Sequence, residues 1–264
     1  MRRHLTASMT LEVPVRSDLV FAIAVADTTA DVSERLSFAL DGAEVPAIEI
    51  ADSHGTRLHR VEVEPGVLEV SYEATVTGRG APVQSLAHHE VRYLRPSRYA
   101  ESDELAAIAF AEFEGLENFA LLDGISSWVG THLEYVPGSS EPTDGASQTY
   151  LARQGVCRDY AHLCVALLRA RGVPARLVSA YAPGLEPMDF HAVCEALIDG
   201  EWWAVDPTTL APRGTMVRIA TGRDAADTAF LTTVAGQANL ESLEVTATAD
   251  ALPDDDLTTP MQLG

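Results

Sequence analysis

Gly155-Val156-Cys157-Arg158-Asp159-Tyr160-Ala161-His162-Leu163-Cys164-Val165-Ala166-Leu167-Leu168-Arg169-Ala170-Arg171-Gly172-Val173-Pro174 decides how this chain folds. Tyr160, Leu163, Cys164, Leu167 and Leu168 recur at helical spacing, and Gly172 and Pro174 stop the run. The spacing predicts an amphipathic helix from Cys157 to Arg171. Cys157 opens that helix, where unpaired backbone N–H groups carry partial positive charge and favour thiolate over thiol. It is the candidate nucleophile. Cys164 lies on the apolar stripe and reads as a core residue, and Cys194 reads the same way.

A nucleophilic thiol needs a base within hydrogen-bond reach, and the base needs a group that fixes its tautomer. Downstream of the helix, strands are expected at about 175–182, 190–198, 201–206, 214–220 and 240–248. Asp199-Gly200 between two of them favours a two-residue hairpin turn, so Ile198 opposes Glu201. Counting back, His191 opposes Thr208 and Val193 opposes Asp206. His191 and Asp206 then share a face as diagonal neighbours, roughly 7–8 Å apart along the backbone, close enough for carboxylate and imidazole to meet. The plainer reading makes both of them ordinary strand residues, but a cysteine, a histidine and an aspartate in one arrangement favour chemistry. A metal site built from Cys157, His162, Cys164, His191 and Cys194 is disfavoured. Positions 162 and 164 diverge on a helix, and 191 and 194 face opposite sides of a strand. No metal and no cofactor is expected.

Upstream, strict alternation at Leu5, Ala7, Met9, Leu11 and Val13, and again at Leu68, Val70, Tyr72, Ala74 and Val76, predicts half-buried strands. Shorter candidates lie at 19–26, 35–40, 46–50 and 57–63. Residues 1–80 therefore read as a small antiparallel β-domain. Gly78 to Pro82 forms a linker, after which the period changes to 3.6, with helices expected from Asp103, from Phe119 to Leu133 and at 146–153. Residues 81–249 read as one catalytic domain. The acidic tail, 250–264, with Asp254, Asp255 and Asp256, offers little to bury and is expected to be disordered. The fold class is α+β, with a central helix on an antiparallel sheet preceded by a sandwich-like β-domain.

The formal charge of -21 argues against nucleic acid or an anionic membrane as partner, since both require clustered cations. The longest apolar run, Leu19 to Ala26, is far short of the ~20 residues of a membrane helix. Arg2, Arg3 and Ala24-Val25-Ala26 loosely resemble a leader, but Glu12, Arg16 and Asp18 stand where a leader is apolar. Three scattered cysteines do not make a disulfide framework, so a cytoplasmic setting is expected. Every one of the 18 basic residues is arginine, so a transferase here could not crosslink itself through lysine. Nothing in the sequence bears on oligomeric state.

The segment Gly155 to Leu163, followed by Arg169-Ala170-Arg171-Gly172-Val173-Pro174-Ala175-Arg176, closely resembles the bacterial transglutaminase-like superfamily. His191-Ala192-Val193 is similar to that family's His-Ala-Trp strand, Trp202 to Thr208 to its Trp…Asp-Pro-Thr strand, and Gly222 to Asp227 to its Gly-Arg-Asp motif. The resemblance covers roughly residues 90–235, and the strands before it resemble the β-domain that often precedes this core. It implies a papain-like, transglutaminase-type fold with Cys157 as nucleophile, His191 as base and Asp206 as orienter. It also implies acyl chemistry on a peptide or protein amide through a thioester. Water as acceptor gives a peptidase or amidase, which is favoured; an amine gives a transglutaminase; and a non-catalytic peptide-binding module is the rival from another class. Val193 departs from the family's tryptophan, and no side chain matches its oxyanion donor, which leaves the Cys157 backbone amide. Arg158, Asp159, His162 and the Gly222–Asp227 segment are expected to be scaffold. Loops 138–149 and 183–190 are the expected walls of the substrate cleft.

Overall fold

The alternating segments pair into sheets in a computed structural model that describes residues 1–27 and 30–264. The first part of the chain holds β1 (Arg2–Val13), β2 (Ser17–Phe21), β3 (Asp31–Leu40), β4 (Ala43–Glu44), β5 (Ile48–Ala51), β6 (Arg57–Val63) and β7 (Gly66–Thr77). Helices α1 (Ala87–Arg92), α2 (Ala106–Glu112) and α3 (Asn118–His132) follow, then β8 (Glu134–Tyr135), α4 (Ala146–Ala152), β9 (Gln154–Gly155) and the central helix α5 (Cys157–Ala170). The chain continues through β10 (Ala175–Tyr181), β11 (Phe190–Ile198), β12 (Glu201–Val205), β13 (Val217–Gly222), β14 (Leu231–Ala235) and β15 (Asn239–Ala249). Among the described residues, two sheets, β15-β1-β7-β3-β4 and β14-β2-β6-β5, form the sandwich, and β12-β11-β10-β13 forms the sheet under α5. The inward residues of β1 and β7 meet Leu19, Phe21, Val61 and Val63 in one core.

Two expectations are corrected. Residues 81–249 do not form one unit, because β15 pairs antiparallel with β1 (Leu5 opposite Ala247) and β14 pairs with β2 (Leu231 opposite Phe21). β1 would otherwise be an open edge beside β7, and the chain returns to close it. The central helix is amphipathic as expected, yet it has no wet face: every residue from Asp159 to Arg169 is buried. Its outer side is covered by α2, α3 and α4, and Arg169 donates to the carbonyls of Arg95, Ala175 and Arg223 and to Ser97 Oγ. The polar stripe therefore binds protein instead of water.

The acidic tail is ordered as well. Arg213, 5% exposed, receives it: its Nε and Nη2 donate to the Asp255 carboxylate at 3.0 and 2.9 Å, and Nη2 also donates to the carbonyls of Asp256 and Thr259. Ala204 N–H donates to the Met261 carbonyl, and Leu263 is buried. Composition gave no hint of this anchor because it lies more than forty residues away in sequence. Replacing Asp255 by Ala strands a buried guanidinium and is expected to cost about 3 kcal/mol. Denaturant titration measures this, and a loss under about 0.5 kcal/mol, the ordinary surface range, would show the tail is not held by this pair.

Candidate active site

Asp199 and Gly200 adopt φ of 52° and 79°, the left-handed pair that a tight two-residue hairpin demands and that glycine accepts without strain. The register follows: Ile198 opposes Glu201, and Cys194 opposes Val205. His191 lies three residues beyond Cys194 and Asp206 one residue beyond Val205, both past the open end of this ladder. Their side chains meet at 2.8 Å, His191 Nε2 to Asp206 Oδ2, with both groups buried. The other carboxylate oxygen, Oδ1, accepts from Thr208 N–H at 3.0 Å and from Thr208 Oγ1 at 2.7 Å, which fixes its plane.

Burial works against a charge on His191, but the Asp206 carboxylate, its hydrogen bond and the neighbouring Cys157 thiol together outweigh it and raise the imidazole pKa to about 10. For Asp206, burial pushes the carboxyl up, and His191 and Thr208 more than reverse this, so it lies below the usual carboxylate value. Both shifts favour an imidazolium–carboxylate pair. With Nε2 committed to Asp206, Nδ1 is buried and free of other protein partners among the described residues. The thiol of Cys157 is the polar group beside it.

Cys157 is the first residue of α5 and is partly exposed, unlike buried Cys164 and Cys194. Burial pushes both of those thiols up, consistent with inert core residues. The turn into α5 is tied by Asp159, whose Oδ2 accepts from Val156 N–H at 2.8 Å and whose Oδ1 accepts from Ser140 Oγ at 2.8 Å. Gly155 is required beside it, since a Cβ there would stand 2.7 Å from Asp159 Cβ. His162 Nε2 accepts from Ala225 N–H at 3.1 Å while its ring stacks on Tyr99, and burial lowers its pKa to about 3. It is neutral and joins α5 to the Gly222–Asp227 segment, where Asp224 accepts from Tyr99 N–H and Arg223 pairs with Asp227.

One residue was not singled out by sequence. Tyr135 lies in β8, which pairs in parallel with β9 so that Tyr135 opposes Gly155, two residues before Cys157. Burial and the nearby Cys157 thiol raise the phenol pKa to about 12, and its hydroxyl lies beside the Cys157 backbone N–H. The phenol keeps its proton. The signal available in sequence was weak: a two-residue strand has no periodicity to read. Val193, by contrast, is fully buried in a cluster with Val178 and Ala204 and does not line the cleft.

Cys157 and His191 open on a cavity of about 590 Å³. Ser140 and Pro142 from the first expected wall loop and Asp189 from the second line it, and so do Tyr99 and residues from 225 to 231. If Asp206 holds the imidazolium, ¹⁵N spectra of His191 should give a titration midpoint near pH 10, falling toward the ordinary value of about 6.5 in Asp206→Asn. The linked stability is then fully present below about pH 6.5 and is lost as pH rises through about 10. A native midpoint near 6.5 would contradict the pairing.

Residues 116–207 match the family model of the transglutaminase-like superfamily. The crystal structure of a candidate cysteine protease from Cytophaga hutchinsonii aligns with 100% of this chain and 94% of its own, at 33% identity and a TM-score of 0.84. An uncharacterized protein of Mycobacterium leprae is 28% identical over 151 residues, 52% of this chain and 53% of its own length. Another, from Mycobacterium tuberculosis, is 32% identical over 149 residues, 50% of this chain and 47% of its own. The chain spans about half the length of these curated relatives.

Proposed function

We propose that this chain, which belongs to the transglutaminase-like superfamily, hydrolyses an amide or peptide bond through a thioester, with Cys157 as nucleophile, His191 as acid and base, and Asp206 as its orienter. The observation that carries this reading is the imidazole held at 2.8 Å by a buried carboxylate, with its other nitrogen free beside a thiol at a helix N-terminus.

The steps follow from these positions. The Cys157 thiolate adds to the carbonyl carbon, and the negative charge moves to oxygen. The Cys157 backbone N–H and the protonated Tyr135 hydroxyl lie together, where an oxyanion accepts from both. Collapse breaks the C–N bond, and the imidazolium gives its proton to the departing amine. Water then attacks the thioester, losing a proton to His191 while the sulfur leaves and Cys157 is restored. Water is favoured as acceptor because it is present without a dedicated site. An amine in its place would make the chain an acyltransferase, with a peptide or protein amide as substrate in either case.

The test is mass spectrometry of Cys157 after brief exposure to peptide amides, quenched in acid, in water alone and with a primary amine added. An acyl adduct absent from Cys157→Ala and turned over in water supports hydrolysis, whereas turnover that depends on the amine moves the assignment to transfer. No adduct and no product from any peptide would favour a binding module. Tyr135→Phe removes one oxyanion donor and is expected to lower kcat about 10²-fold with little change in KM. A loss confined to KM would place Tyr135 in substrate binding instead.

A further inference from the structure

The cavity beside Cys157 and His191 is built by both halves of the molecule. Leu177 and Ile219 come from the sheet under α5, Leu231 and Leu243 from the strands that return to the sandwich, and Phe190 and Phe230 complete the apolar walls. Small side chains make the room: Ala192 on β11 and Ala225 and Ala229 between β13 and β14 also line it. Its polar lining, besides Cys157 and His191, is Tyr99, Ser140, Arg158, Ser179, Asp189 and Thr228. Ser179 Oγ is buried and has no hydrogen-bond partner among the described residues, which leaves an unused hydroxyl in the wall. Asp189 stands exposed in the loop before β11, its carboxylate accepting from Phe190 N–H at 2.7 Å.

A volume near 590 Å³ exceeds what a thiol and a scissile amide occupy, and it falls in the range of sites that enclose a side chain with its flanking backbone. We propose that this cavity is a specificity pocket that takes a bulky apolar side chain, of leucine or phenylalanine size, from the residue on the acyl side of the scissile amide. The idle Ser179 hydroxyl bonds the backbone of that residue. An acidic side chain would have to give up its water to apolar walls, with Asp189 repelling it and Arg158 already donating to Ser140 Oγ and the Glu141 carbonyl. The sandwich thereby becomes part of the substrate site through Leu231 and Leu243. This inference rests on the acyl-chemistry reading of Cys157, and its test separates the two.

The experiment compares second-order rates at which Cys157 is alkylated by iodoacetamide, which is too small to need the pocket, and by N-acyl-Xaa chloromethyl ketones with Xaa as Gly, Leu, Phe or Glu. In each ketone the sulfur displaces chloride and forms a thioether, so no unknown substrate is required. The Leu and Phe reagents are expected to react at least about tenfold faster than the Gly reagent, and Glu slowest. Ala229→Trp fills the space and Leu243→Asp charges its wall. In both, the Leu-to-Gly ratio should fall toward one, with iodoacetamide measured on the same preparation as the reference for an intact centre. Equal ketone rates with a thiol that outpaces a free cysteine would overturn the pocket and leave the centre standing. So would a ratio that survives both substitutions. A thiol no faster than free cysteine toward iodoacetamide would overturn the acyl-chemistry reading, and the pocket with it.

Discussion

The two-residue turn at Asp199-Gly200 is the constraint on which the site depends. Side chains alternate along a strand, so one residue more or less in this turn would send either His191 or Asp206 to the wrong face. Two consecutive positive φ values are affordable because one position is glycine and the other aspartate, a residue that tolerates the left-handed region. The register they fix carries the carboxylate toward the imidazole, and Thr208 in the loop after β12 then holds its plane. Once Asp206 takes Nε2, the tautomer and the orientation of Nδ1 follow, and the helix N-terminus brings the thiol to it. A rigid hairpin between β10 and the tail therefore does what a flexible loop could not: it holds two buried ionisable groups at hydrogen-bond distance.

Much of this was legible because it is local. Alternation in β1 and β7, the 3.6 period of α5, the position of Cys157 at its start and the hairpin register all depend on residues near one another in sequence. What was not legible depends on distant partners. The alternation in β15 announces a strand but does not say which edge it joins, and β14 shows no alternation at all, with Thr232 to Ala235 exposed. Asp255 reads as one more solvated acid until Arg213 is placed against it. Tyr135 sits in a strand too short for any pattern, brought to Cys157 by the pairing of β8 with β9. The polar residues of α5 imply a wet face by composition, and only the packing of neighbouring helices and the segment after β13 shows that they are consumed inside the protein.

The closing of the first sheet by β15 changes what the β-domain is for. A sandwich made only from residues before the linker would be tethered at one point, free to move relative to the sheet under α5. Instead the chain leaves it, builds the sheet under α5, returns, and through the tail reaches that sheet again at Ala204, so three connections join the halves. Residues 22–26 run buried along the junction, where Ala26 N–H donates to Arg218 O and Tyr181 Oη donates to Ile23 O. Tyr181, Val217 and Ile219 belong to the same apolar core as the sandwich strands.

A buried charge network reinforces the same junction. Glu195 on β11 accepts from Arg176 Nε at 2.7 Å and from Arg218 Nη2 at 2.6 Å. Burial would raise the Glu195 carboxyl, but the two guanidiniums override it and hold the pKa at about 2. Arg176 also stacks over Trp202 at 3.7 Å and meets His54, carried on the turn between β5 and β6, at 3.3 Å. Such a network gains little net stability over apolar packing, yet losing any one member leaves an uncompensated buried charge, so alternative packings of this region are penalised heavily. The His54 ring, with its pKa lowered to about 3 chiefly by burial and then by Arg176, stays neutral beside the cation and can accept from it. The sandwich is thus fixed to β11, the strand that carries His191, by contacts that lose their balance if it shifts. That fixed relation lets strands from two halves of the molecule wall a single cavity next to one thiol.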